Sequence, residues 1–280
     1  MKKPKRHKSK RNQWKKKKHQ KYPSSLSSTS WRTIRHFFIG KKKGRKRKHS
    51  PRATLDAIFY ILRTGCQWRM LPTGFPPWQT VYSCFRRWTE SGLWKRLNDA
   101  LRIMTRKAVG KNKHSTVAII DSQSAKTTEQ GGLRGYDAGK KIKGRKRHIL
   151  VDSLGLILEI KVHSAGIQDR DGAKLLLEHI TGKYPELVLI WADGGYRGTL
   201  IEWVENTIGV RLEIIKRNDN VKGFKLLPKR WVVERTLGWI GRNRRLSKDY
   251  ERYCKTEESW IYLGMISLMM NRLEPYKEAA

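Results

Sequence analysis

The sequence predicts an α/β fold: a mixed sheet flanked by helices, preceded by a small all-helical segment. Three observations carry this. From residue 115 onward, apolar runs follow the order β-β-β-α-β-α-β-α-α. The early runs are linked by short turns, which makes them antiparallel, and the later ones alternate with helices. Before them, residues 53–108 repeat apolar side chains at helical spacing. A length of 280 residues suffices for one large domain or two ordinary ones with a sizeable core.

Charge narrows the partners. Lys and Arg total 62 against 24 Asp and Glu, a net charge of +38. Such an excess self-repels unless a polyanion neutralises it, and nucleic acid is the expected partner. A membrane surface is the weaker alternative, since no amphipathic lipid-binding helix stands out. The most apolar stretch, "WIYLGMISLMM" (260–270), is too short to span a bilayer and has charges on both sides. The N-terminus lacks the apolar core of a signal peptide. Cys66, Cys84 and Cys254 are isolated, with no CxxC spacing. That argues against a disulfide framework or zinc site and fits a reducing cytosol.

The elements follow in order. Residues 1–30, beginning "MKKPKRHKSKRNQWKKKKHQK", form a basic tail too poor in apolar residues to fold alone. A second block, "GKKKGRKRKHSPR" (40–52), precedes the first long helix. Each is a solvated tail or linker, a phosphate-binding arm, or a signal of the nuclear-localisation type. Residues 31–110 read as a helical domain. Leu55, Ile58, Phe59 and Leu62 share one face of a helix stopped by Gly65. "WQTVYSCFRRWTESG" and "LWKRLNDALRIMTRKA" make two more helices. Their short connection suits a helix-turn-helix-like module in which Gln79, Thr80, Arg86 and Arg87 face DNA, or a small bundle with ordinary surface arginines. Residues 115–275 form the sheet domain. "STVAIID" is a strand, "RKRHILVDS" and "GLILEIKVHSA" a hairpin, "QDRDGAKLLLEHITGKYP" a helix and "ELVLIWADGGY" a strand. A helix, a strand at "VRLEIIKR", a helix from about Pro228 and a terminal helix over 256–273 complete it.

Two carboxylates stand out. Asp121 and Asp193 each follow an apolar run, as though ending a strand. Functional groups of open α/β sheets gather at strand C-terminal ends. Neighbouring carboxylates there repel unless a cation lies between them, and Mg²⁺ suits carboxylates plus phosphate oxygens. Turn initiation or capping is the bland alternative. Glu234 borders the apolar face made by Val233, Leu237 and Ile240, so it could reach the sheet edge or merely pair with Arg230 four residues earlier. Asp169 and Asp171 read as helix-start caps, and His148 and His163 as structural. The basic stretch "GKKIKGRKRH" (139–148), with Lys143, Arg145, Lys146 and Arg147, suits phosphates, as does Arg242 in "RNRRLSK".

In combination, "AIFYILRTGCQWRMLP", "FPPWQTVY", "DSQS", "GRKRHILVD", "QDRDGA", "ADGGYRG" and "KRWVVERTLGWIGRNRRLSKDYE" resemble bacterial DDE transposases of the insertion sequence five family over about residues 31–275. The resemblance implies a ribonuclease-H-like catalytic domain behind a helical DNA-binding region. It implies Asp121, Asp193 and Glu234 as the acidic triad holding Mg²⁺, with Mn²⁺ a possible substitute. Arg230 matches the arginine of the related Tyr-Arg-Glu-Lys signature, whereas Leu227 and Gly241 replace its tyrosine and lysine, and Arg242 is the nearest cation. The implied activity is cleavage of the element's terminal inverted repeats and joining of the 3′-hydroxyls to target DNA. A homodimer on double-stranded DNA, in a bacterial cytoplasm at the nucleoid, goes with it. The competing readings are a catalytically inactive or domesticated DNA-binding protein, a nuclease that cuts without joining, and a basic RNA-associated protein.

Overall fold

The computed structural model describes residues 22–39, 47–215 and 231–274. The expectations for the tail up to residue 21, for the block at 40–46, for Leu227 and for Arg230 lie outside those residues.

Four helices come first: α1 (Ser28–Ile34), α2 (Pro51–Thr64), α3 (Trp78–Glu90) and α4 (Leu93–Ala108). Ser50 caps α2 by accepting the Ala53 N–H, Pro51 opens its first turn, and Gly65 closes it in the left-handed region. α3 buries Val81, Phe85 and Thr89, one residue per turn, and turns into α4 through Ser91 and Gly92.

The sheet contains β1 (Val117–Lys126), β2 (Gly135–Asp137), β3 (Ile142–Asp152), β4 (Ile157–Ser164), β5 (Leu189–Ala192) and β6 (Arg211–Ile214). β1, β3 and β4 pair antiparallel, whereas β1, β5 and β6 pair parallel. The spatial order β4-β3-β1-β5-β6, with β2 extending the β3 edge, is the ribonuclease-H-like arrangement. α5 (Asp169–Leu177) and α6 (Leu200–Ile208) make the crossovers to β5 and β6. α7 (Trp231–Gly241) and α8 (Cys254–Leu273) follow.

Alternation along the strands divides the interior in two. Ile119, Ile149, Val151, Ile160 and Val162 face α7, α8 and all four N-terminal helices. Ala118, Ile120, Leu150, Leu158 and Ile190 face α5 and α6. The helical segment therefore shares one core with the sheet. Trp260 of α8 is fully buried and stacks on Phe85 of α3, ring centres 4.6 Å apart. Each such buried aromatic or aliphatic side chain contributes about 1.5–3 kcal/mol.

One expected boundary is corrected. β1 does not stop at Asp121, because Ser122–Lys126 continue in register with β3 to the Lys126–Gly144 pair. What stops is the pairing with β5, whose last partner is Ile119.

Candidate active site

The parallel register sets Val117 beside Leu189 and Ile119 beside Trp191. Continued by two residues, it places Asp121 opposite Asp193, where β5 ends and the strands part. Both are half-buried. Asp121 Oδ1 accepts the Ser122 N–H at 2.7 Å. Asp193 caps a single 3₁₀ turn, Gly194–Tyr196, its Oδ1 accepting the Gly195 N–H at 2.9 Å. Capping and convergence thus coexist at Asp193.

Tyr196 marks how close the acids come. Its ring is buried, and burial followed by the carboxylates of Asp121, Asp169 and Asp193 raises its hydroxyl well above the usual phenol range. The third of these acids, Asp169, is not the expected helix cap. Gln168 occupies the cap position, and Asp169 turns inward. Its Oδ1 accepts from Ser122 Oγ at 2.8 Å and pairs with Lys146 Nζ at 3.0 Å. Burial opposes its ionisation, yet these two hydrogen bonds and the ammonium hold its carboxyl below the usual range.

Glu234 lies in the first turn of α7 and is exposed. Val232 and Val233 seat that helix on Ile119, Ile149 and Val151. By alternation this is the face to which Asp121 points. Thr236 Oγ1 donates to the Gly155 carbonyl at 2.8 Å and fixes the helix on the β3–β4 turn. Arg235 lies between Trp231 and Trp239, 4.3 and 4.4 Å from their ring centres. Among the described residues, no three His, Cys, Asp or Glu side chains are gathered at metal-holding spacing. The register continued past Ile119 and Trp191 sets Asp121 opposite Asp193, and Glu234 lies on the adjoining helix. The chemistry of the converging pair suits a hard divalent cation.

The basic stretch divides. Arg145, Lys146 and Arg147 are buried, and the expectation that they contact phosphates is corrected. Arg145 Nη1 is 2.9 Å from Asp249 Oδ2 and also donates to the Glu251 carbonyl, while Nε and Nη2 donate to the Leu133 and Arg252 carbonyls. Arg147 pairs with Glu257 at 2.5 Å and donates to the Leu246 carbonyl. Lys146 serves Asp169 and the Ile167 carbonyl. Lys143, Arg242, Arg86 and Arg87 are exposed, with Arg86 in a surface pair with Glu90. His148 and His163 are buried and bonded to each other at 2.7 Å. Sequence reasoning missed Ser122, Lys146, Asp169 and Tyr196 as a group. The signals available were Ser122's place in the alternation and the "QDRDGA" motif.

The family model described as "Transposase DDE domain" matches residues 112–270, which carry the sheet, α5, α6, α7 and most of α8. The chain belongs to the DDE transposase family. A second model, "Putative transposase of IS4/5 family", matches residues 26–98. Among curated relatives, the "Putative transposase for insertion sequence element IS402" of Burkholderia cepacia is 29% identical over 46% of this chain and 64% of its own length. "Uncharacterized protein y4sN" of Sinorhizobium fredii is 32% identical over 30% of this chain and 65% of its own length. The chain thus spans just under two thirds of these relatives. Two solved structures align with the chain at low scores. A pre-cleavage Mos1 transpososome is 11% identical, with TM-score 0.27 over 86% of this chain and 83% of that one. A mariner Mos1 paired-end complex with Mg is 11% identical, with TM-score 0.24 over 87% and 84%. Among the described residues, no helix of this family member is long and apolar enough to cross a membrane.

Proposed function

We propose that the chain is a divalent-metal-dependent transposase that binds the terminal inverted repeats of its element, cleaves the ends and joins the 3′-hydroxyls to target DNA. What supports this is the parallel register of β1 with β5, which continued two residues past Ile119 and Trp191 sets Asp121 opposite Asp193, within the stretch matched by the DDE model. Asp121, Asp193 and, from α7, Glu234 would hold Mg²⁺ or Mn²⁺, which when bound acidifies an attacking hydroxyl and stabilises the leaving oxygen.

The chain's own groups do the rest. The Ser122 and Gly195 amides orient the two aspartates. Gly194 and Gly195, both exposed, leave room for a DNA backbone beside Asp193. Lys143, Arg242, Arg86 and Arg87 bind phosphates, and Arg230 joins them ahead of α7. The exposed side of α3 reads the terminal repeat. Joining two ends calls for two protomers on DNA.

The test is a joining assay with Mg²⁺, pre-cleaved element ends and supercoiled plasmid. Joined product from the natural chain, lost in Asp193→Asn, supports the proposal. DNA binding without joining in the natural chain favours the binding-only reading. Cleavage without joining favours a nuclease. Joining that persists in Asp193→Asn removes that carboxylate from the site.

A further inference from the structure

A buried polar cluster lies behind the two aspartates, and the proposed mechanism gives it no task. Alternation along β1 sends Ser122 to the α5 face, opposite Asp121. There Ser122 Oγ donates to Asp169 Oδ1 at 2.8 Å, and Lys146 Nζ, fixed on the Ile167 carbonyl at 2.9 Å, approaches the same oxygen at 3.0 Å. The "QDRDGA" motif delivers Asp169 through Gly172. A Cβ at Gly172 would lie 2.4 Å from His163 Nε2 and 2.5 Å from His148 Cε1, so only glycine lets α5 settle on the histidine pair.

The histidines have a definable polarity. His163 Nδ1 is 2.8 Å from the Ser164 carbonyl, which can only accept, so that nitrogen carries the proton. His163 Nε2 then accepts from His148 Nδ1 at 2.7 Å. Burial and the neighbouring His163 push the His148 imidazole down to about 3, so it is neutral. Its Nε2 is therefore a lone pair, buried without a hydrogen-bond partner among the described residues and 4.0 Å from Asp169 Oδ1. A lone pair there repels the carboxylate and leaves Ser122 and Lys146 as its donors. On the far side, a Cβ at Gly195 would lie 3.1 Å from Asp193 Oδ1 and 3.7 Å from Asp169 Oδ2, so both acids close on one glycine.

We propose that Asp169 is a positioning residue for the metal-holding pair. Bonded to Ser122 on β1 and packed against Gly195 in the turn after β5, it ties the strand bearing Asp121 to the turn bearing Asp193 and fixes their separation. This rests on the reading of Asp121 and Asp193 given above.

The test uses the full chain bound to a duplex from the end of its own element. Mn²⁺ affinity is measured by electron paramagnetic resonance, beside thermal melting of the protein alone. Asp121→Asn, Asp169→Asn, Ser122→Ala and Ser122→Thr are compared with the natural chain. The expected result is that Asp121→Asn abolishes the site, while Asp169→Asn and Ser122→Ala weaken Mn²⁺ binding roughly tenfold, the scale of outer-shell losses at metal sites. Ser122→Thr keeps the hydroxyl and restores affinity to within about twofold. Unchanged Mn²⁺ affinity in Asp169→Asn and Ser122→Ala, with the site still lost in Asp121→Asn, overturns the role of Asp169 alone, whatever the melting temperatures do. Unchanged affinity in Asp121→Asn overturns the reading of the site and this inference with it. If Asp169→Asn does not fold, the contrast between Ser122→Ala and Ser122→Thr decides.

Discussion

Arg145-Lys146-Arg147 on β3 and Arg86-Arg87 on α3 are similar runs of cations with opposite fates. The first is buried, each member in contact with an acid: Asp249, Asp169 and Glu257. The second is open to solvent. The difference lies in the element. From Arg145 onward β3 is an interior strand, with β1 on one edge and β4 on the other and helices over both faces, so those side chains have no route to water. α3 buries its Val81-Phe85-Thr89 stripe, half-buries Trp88 against the same core, and leaves Arg86 and Arg87 on its exposed side. Net charge therefore overstates the surface available to nucleic acid, because part of the basic excess braces the interior.

The largest effect that would break this contrast is at Arg145. Arg145→Ala strands Asp249, itself 1% exposed, without its guanidinium. A loss of about 3–5 kcal/mol is expected in chemical denaturation. A loss below about 1 kcal/mol, the scale of a surface pair, would place Arg145 with the exposed cations. Next comes the α3 pair. The double variant Arg86→Ala, Arg87→Ala should leave stability within about 0.5 kcal/mol. The logarithmic salt dependence of DNA binding should become shallower by about two phosphate contacts. Lys143→Ala should give about one contact's worth of the same change, measured by the same titration.

A pH-dependent prediction concerns an acid facing the same interior. Glu258 accepts the Val162 N–H at 2.9 Å, and burial, its largest influence, pushes it up to about 7 from an ordinary 4.5. The folded state then holds a proton that the unfolded chain releases between those values. Stability from this group is complete below about 4.5 and declines as pH rises toward 7. Glu258→Gln should flatten that decline, measured by melting at pH values on either side of the window.

Much of the fold was legible. The "STVAIID" strand, the hairpin with its turn at Ser153-Leu154-Gly155 and the alternating helices all follow from apolar periodicity, which is local. β2 was missed, because Gly135-Tyr136-Asp137 has no apolar alternation and exists only by pairing with β3. The burial of Arg145 and Arg147 could not be read, since their acids lie about a hundred residues onward in sequence, at Asp249 and Glu257. At the site, Asp121 and Asp193 were legible because each follows an apolar run. Asp169 resembled a helix cap, and only the Ser122 hydrogen bond, a tertiary contact, shows otherwise.

The most direct test of the central claim is iron-mediated backbone cleavage. Fe²⁺ replaces Mg²⁺ in the protein–DNA complex, and hydroxyl radicals made at the bound ion cut the nearest peptide bonds. Cuts are expected around Asp121, around Asp193 and in the first turn of α7 near Glu234, all suppressed by excess Mg²⁺ and absent in Asp121→Asn. Mg²⁺-sensitive cuts elsewhere, with none at Asp121 or Asp193, would contradict the claim.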